Sequence, residues 1–204
     1  KPRDGGPVCA LGLWDGHDAG AALVVDGLVV AAVSEERLTR QKRQAGFPRR
    51  AVAEVLRLSG VTPAEVTAVG VAGRYGRAPA RALDRRYAAL NPLHIDPLAW
   101  SSLAFAQYQH TVAALPGLRN FESAVGLRPL ARELADLGVH TRDLGALDHH
   151  LCHAMGAAAR SPLPALVLTA DGYGDGVSLA VWRAGGRRAQ ELTCLASQGP
   201  RASL

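Results

Sequence analysis

Two short segments carry residues that could do chemistry. The first is His149-His150-Leu151-Cys152-His153, and the second begins eighteen residues later as Asp171-Gly172-Tyr173-Gly174-Asp175-Gly176. His149 and His153 are four residues apart, which on a helix puts both imidazoles on one face, one turn apart. Two such rings can share one transition metal. The second segment follows a short apolar run, Ala165 to Ala170, which reads as a strand entering an acidic glycine turn. Small residues there let a backbone close on a phosphate or nucleotide. Together they suggest a metal-assisted site that handles a nucleotide.

The other residues near these segments read less sharply. His150 lies about 100° around the helix from His149, so it fits a supporting polar contact better than a ligand. Cys152 reads as buried packing; a thiolate ligand there would turn the metal preference toward zinc. Far upstream, Asp15-Gly16-His17-Asp18 is a polar turn between two apolar runs.

The elements that must hold these residues can be read from periodicity and turn chemistry. Val8 to Trp14, Ala21 to Val25 and Leu28 to Val33 read as three antiparallel strands, the last two joined by Asp26-Gly27, a type I′ hairpin signal. Ser34 to Phe47 is charged and aperiodic, a loop with some helix. Pro48 opens a helix with Val52, Val55 and Leu56 on one face, and Gly60 stops it. Thr62-Pro63-Ala64-Glu65 is a capping box, and Val66 to Val71 a fourth strand. Residues 74–138 form an insertion of mostly helical pattern, broken near Asn91-Pro92, Asp96-Pro97 and Pro116-Gly117; His94 and His110 read there as ordinary polar residues. A short strand fits within His140 to Leu147, a helix within His149 to Ala159, and further strands at Val177 to Trp182 and Gln190 to Leu195. The fold class is α/β. Two sets of hairpin strands, each with an Asp/Gly turn, resemble the duplicated phosphate-gripping halves of actin-like ATPases and sugar kinases.

Composition narrows the setting. The chain has 204 residues, 48% hydrophobic, enough for one full core or a domain and part of another. The net charge of +5 is dispersed as pairs such as Arg49-Arg50, and aromatics are only 5%, which disfavours a nucleic-acid face. Of 23 basic residues only Lys1 and Lys42 are lysine, so Lys42 stands out as a compact cation kept against an arginine bias. Three scattered cysteines suggest a reducing compartment, and the absence of an apolar span or signal peptide suggests the cytoplasm.

Four motifs in order carry a family resemblance. Gly16-His17-Asp18-Ala19-Gly20 through Asp26-Gly27, Ala31 through Lys42 with Gly46-Phe47-Pro48, Asp148 through Ala154, and Leu168 through Gly172 resemble the nodulation and antibiotic-biosynthesis O-carbamoyltransferases. They cover roughly a third of the chain. Ser34-Glu35-Glu36-Arg37-Leu38 departs from that family's usual Glu-Glu-Glu-Arg-Phe. The resemblance implies a partial actin-like ATPase fold with a helical insertion. It implies that residues 1–204 are the N-terminal portion of a carbamoyl-transfer domain, without the carbamoyl-adenylate-forming domain of such proteins.

The implied activity is ATP-dependent transfer of a carbamoyl group from carbamoyl phosphate, via carbamoyl-adenylate, to a hydroxyl of a small metabolite in secondary metabolism. Relatives of this kind use a divalent metal, here expected as Fe2+ with Zn2+ or Mn2+ as alternatives, and ATP with Mg2+ as co-substrate. His149 and His153 would hold the metal, with a third ligand expected beyond Leu204. His17 would act as base on the acceptor hydroxyl, or simply cap its turn. Asp18 would orient His17 or serve the turn alone. Lys42 would neutralise a phosphate or carbamoyl oxygen. Asp171, Gly172 and Gly174 would line the nucleotide phosphates. Glu35, Glu36 and Arg37 read as an ion-pair cluster holding their loop. Two alternatives stay open: a tRNA threonylcarbamoyl-transfer-like protein, and a non-catalytic partner module of the same fold.

Overall fold

The computed structural model describes residues 6–74, 108, 111–112, 114–185 and 192–199. The readings at Asn91, His94, Asp96, His110 and residues 186–191 lie outside the described residues. Those described form two sheets. The first has five strands in the order β3-β2-β1-β4-β5: β1 Cys9–Trp14, β2 Gly20–Val25, β3 Leu28–Ser34, β4 Ala68–Ala72 and β5 Asp143–Leu147. β1, β2 and β3 are antiparallel neighbours, whereas β4 and β5 run parallel to β1.

Asp26 and Gly27 both have positive φ, 49° and 84°, as a type I′ turn requires. Charged Ser34–Phe47 holds one short helix, α1 (Glu35–Thr39), and α2 spans Arg49–Ser59 before Gly60 in the left-handed region. Thr62 and Glu65 form the capping box on a single 3₁₀ turn. Of the region read as an insertion, α3 covers Pro116–Asp136; Pro116 opens it, where a proline costs no hydrogen bond.

Strict alternation on β1 sends Leu11 and Leu13 to one face of the first sheet, with Leu23 and Val71 beside them. Against this face α2 packs Val52 and Val55, and α3 packs Leu130 and Leu134. Arg49 ties the two helices by ion pairs to Glu133 and Asp136. Glu35 is buried and accepts the N–H groups of Arg50 and Ala51 at 3.2 and 2.7 Å, so it caps the start of α2. Glu36 accepts from Arg43 N–H at 3.0 Å and pairs with Lys42. Of the expected ion-pair cluster of Glu35, Glu36 and Arg37, the described residues show an ion pair at Glu36, with Lys42 instead of Arg37. Glu35 acts through backbone N–H groups, because its buried carboxylate meets the unpaired donors at the start of α2.

The second sheet is β6 (Ala165–Gly174), β7 (Val177–Ala184) and β8 (Leu192–Gln198), all antiparallel. Its inner face packs Val167, Ala180 and Trp182 against Ala154 and Ala158 of α4 (His149–Ala158). β6 is longer than its apolar run. Asp171 and Gly172 belong to the strand, with an irregularity in pairing between Ala170 and Gly174, and the turn itself is Asp175-Gly176. This corrects the reading of Asp171 onward as a turn. β6 outruns its apolar stretch because a bulge lets pairing resume at Gly174 with Val177. No helix among the described residues is long and apolar enough to cross a membrane.

Candidate functional site

The histidine helix starts where two acidic side chains meet it. Asp148 is its N-cap and accepts the N–H of Leu151 at 2.8 Å. From there His149 and His153 project together, as their spacing requires, with ring centroids 4.7 Å apart. Asp171 joins them from β6. Its Oδ2 lies 2.5 Å from His149 Nε2 and 3.9 Å from His153 Nε2, and the two Nε2 atoms are 3.1 Å apart.

These distances suit a shared cation better than a set of hydrogen bonds. His149 Nε2 faces two acceptor-capable atoms and can carry only one proton. Ligands about 2.0–2.1 Å from a tetrahedral ion sit about 3.3 Å from each other, and the three separations bracket that value. Two imidazoles and a carboxylate form a donor set for Fe, Zn or Mn rather than for a hard cation alone. Among the described residues, this is the group of three with ligand atoms within 4.8 Å of one another.

The protonation states agree. Partial burial, then the charge of His149, pushes His153 below the ordinary histidine value, although Asp171 opposes this. Burial alone would raise the Asp171 carboxyl. Hydrogen bonds from His149 and from Gly172 N–H, with the charge of the two imidazoles, outweigh it and hold the carboxyl low. Both groups therefore tend toward their ligating forms at neutral pH. Cys152 is different: burial, then Asp148 and Asp175, push its thiol up to about 11, which leaves it a packing group.

The structure gives two residues read from sequence as nucleotide-lining another immediate role. The Asp171 carboxylate is turned to the histidines, and its oxygen stands where it could join both imidazoles on one cation. Gly174 lies flat against His149; a Cβ there would stand 2.8 Å from Nε2 and nearer still to ring carbons. Gly172 has open space beside its Cα and donates its N–H to Asp171 Oδ1 at 2.6 Å. His150 is buried, between Thr169 Oγ1 at 2.9 Å and the Val177 carbonyl at 3.0 Å. A carbonyl only accepts, so Nε2 carries the proton there and Nδ1 is left for the threonine hydroxyl. His150 thus pins α4 to the second sheet and is turned away from the trio.

Trp14 brings the polar turn to the same place. Its indole lies 5.2 Å from the His149 ring and donates Nε1–H to the His17 carbonyl at 2.6 Å. His17 Nδ1 is 3.0 Å from Asp18 Oδ2, and the imidazole is 72% exposed. Asp18 holds φ at 57°. Loop 40–47 runs along this turn, with Ala19 N–H to Gln44 O at 2.8 Å and Gly46 N–H to Asp15 O at 3.1 Å. Lys42 stands on that loop, 85% exposed and 3.3 Å from Glu36; it makes no contact with the trio among the described residues.

An open cleft of about 450 Å³ adjoins Trp14, on the sheet face opposite the core. Gly12, Ala22, Gly70 and Ala72 floor it, and Ser34 and Cys152 border it. That size falls within the range of small-molecule sites.

Residues 9–194 match a family model described as the carbamoyltransferase N-terminus. The chain belongs to the carbamoyltransferase N-terminus family. That stretch holds the histidine helix, β6 and the His17 turn. An uncharacterized protein of the cyanobacterium Synechocystis is 33% identical over 186 residues, covering 84% of this chain and 26% of the relative. The nodulation protein NolNO of Sinorhizobium fredii is 29% identical over 160 residues, 78% of this chain and 20% of the relative. A protein of Methanocaldococcus jannaschii shares 42% identity over 67 residues, 33% of this chain and 13% of the relative. The chain therefore spans about a quarter or less of the curated relatives it matches.

Sequence reasoning missed the pairing of Asp171 with the histidines and the role of Trp14. Leu168-Thr169-Ala170-Asp171-Gly172 was the available signal: a carboxylate at the end of an apolar run, with a metal-capable histidine pair shortly before it in the chain.

Proposed function

We propose that this chain is the transfer part of an ATP-dependent O-carbamoyltransferase, which moves a carbamoyl group from carbamoyl phosphate, via carbamoyl-adenylate, to a hydroxyl of a natural product or sugar. One observation carries the reading. The His149, His153 and Asp171 ligand atoms converge beside the Trp14–His17 turn in a member of the carbamoyltransferase N-terminus family. Two Asp-Gly hairpins on two sheets support the finer fold reading, a partial actin-like ATPase fold.

His149, His153 and Asp171 would hold a divalent ion, Fe2+ with Zn2+ or Mn2+ as alternatives. When bound, that ion supplies Lewis-acid neutralisation of phosphate charge. Asp18 against Nδ1 favours the His17 tautomer with a proton on Nδ1 and a lone pair on Nε2. Nε2 then takes the acceptor's hydroxyl proton as its oxygen bonds to the carbamoyl carbon. The bond from that carbon to the phosphate oxygen breaks, and its electron pair leaves with the nucleotide. Lys42, on its exposed loop, would neutralise a phosphate or carbamoyl oxygen, and the open space beside Gly172 would let the nucleotide phosphates approach the chain. The low-polarity cleft beside Trp14 would take the uncharged part of a substrate.

The test separates the metal from the transfer. Purified chain is expected to hold about one divalent ion, and His149→Ala/His153→Ala to lose it. With carbamoyl-adenylate supplied directly and a panel of hydroxyl acceptors, His17→Ala is expected to slow transfer by about 10²–10⁴-fold, the range for a general base. Transfer undiminished in His17→Ala, or a threonylcarbamoyl product on tRNA in place of an O-carbamoylated small molecule, would sink the reading.

A further inference from the structure

Asp175 opens the β6–β7 turn, and its carboxylate reaches well beyond that turn. Oδ2 accepts the backbone N–H of His149 at 2.9 Å. Both oxygens also face the N–H of Arg74, at 3.0 and 2.9 Å. These two donors come from different elements: His149 is the first residue of α4, and Arg74 lies just after β4. The first N–H groups of a helix have no partner inside it. Asp148 satisfies that of Leu151, and the remote Asp175 satisfies that of His149. One residue earlier, Gly174 forms the surface on which the His149 ring rests.

We infer that Asp175 is a positioning residue that holds the His149 imidazole against Asp171. The inference rests on the reading of His149, His153 and Asp171 as ligands of one ion. Asp171 and Asp175 lie on the same short stretch of chain. The segment that delivers the carboxylate ligand therefore also grips the backbone of the helix that delivers both histidines. The spacing between ligands is set across this one hairpin rather than through two separate sheets. Arg74 is the third party: through it the carboxylate fastens the end of the first sheet to the same point. Partners that orient metal ligands typically change metal affinity about 10- to 100-fold when removed.

Asp175→Asn tests this in the full chain. The amide keeps the shape, but it removes the charge that strengthens both bonds and sets an NH2 in place of Oδ1, donor against donor with the Arg74 N–H, so the grip on both amides weakens. In metal-free protein, the His149 imidazole ¹⁵N shifts should move, and amide exchange at His149 and Arg74 should quicken by about 10-fold or more. Amides of α2 should keep their wild-type rates. Co2+ should then bind about 10- to 100-fold more weakly, with an altered visible absorption band. Unchanged imidazole shifts and exchange would overturn the inference. So would faster exchange with wild-type cobalt affinity and spectrum. Should the wild-type chain take up no cobalt, the reading of the trio as a metal site falls, and the metal-free imidazole shifts still decide whether Asp175 positions His149. If the Asn variant does not fold, Asp175→Glu carries the same measurements. Its longer arm displaces the carboxylate, so shifted imidazole signals support the role and unshifted ones refute it.

Discussion

Two Asp-Gly hairpins turn this chain, and their backbones are nearly the same. Asp26 and Gly27 have φ of 49° and 84°, and Asp175 and Gly176 have 54° and 84°. The Asp26 carboxylate accepts the N–H of Val8 at 2.9 Å, while the backbone N–H of Asp26 donates to Val8 O at 3.0 Å. It fastens its own sheet. The Asp175 carboxylate instead grips the ends of two other elements and stands next to the cluster of His149, His153 and Asp171. The local code is shared; the partners are not. A carboxylate in a tight turn has oxygens to spare, and what they do depends on which backbone donors the fold brings near.

The sheets around the two turns differ in the same way. The first is sealed on one face by α2 and α3. The second packs α4 on one face and leaves Leu166 and Leu168 of β6 exposed on the other. Phe47→Ala should show the largest effect. Phe47 is 1% exposed within the first core, and its truncation should cost about 3–5 kcal/mol in urea unfolding. Leu168→Ala, at a position 65% exposed, should change stability by less than about 0.5 kcal/mol. Equal losses would erase the contrast between the two sheets.

A paired glycine experiment sharpens the comparison at intermediate size. Gly174→Ala drives a methyl group into the His149 ring and should cost about 1–3 kcal/mol, with weakened cobalt binding. A Cβ on Gly27 meets nothing, so Gly27→Ala should cost only the left-handed backbone penalty, about 1–2 kcal/mol, and leave metal binding alone. If both variants bound cobalt like wild type, Gly174 would be an ordinary turn neighbour.

The smallest perturbation is chemical and leaves the fold intact. Burial, and then the charges of Asp148 and Asp175, keep the Cys152 thiol near 11. At pH 8 only about one molecule in a thousand carries the thiolate, against roughly a quarter for an unperturbed thiol. Alkylation at Cys152 should thus run about 100-fold or more below that of a free thiol, and rise as pH approaches 11. Asp175→Asn removes one of the carboxylates that raise it, so labelling should quicken a few-fold. Alkylation at the rate of a free thiol would show that the helix start is neither as buried nor as acidic as the structure has it.

Much of this molecule was legible in its sequence where the signal was local. Asp26-Gly27 fixed a hairpin because both residues must take positive φ. Thr62 to Glu65 announced a cap because both partners lie within three residues. The 149/153 spacing put two rings on one helix face because 3.6 residues make a turn. The same local rules misread residues 171–174, since a bulge can carry a strand past its apolar stretch.

Residue types and short spacings thus determined the hairpins, the helix starts and the histidine pair. Tertiary structure alone decided that Asp171, twenty-two residues after His149, would turn to the pair. It alone placed Trp14 over His149, and brought Asp175 to a backbone amide 101 residues away. No local rule reaches across such distances. These contacts arise because two sheets bury their apolar faces independently, and the polar ends of their strands then meet wherever that packing leaves them.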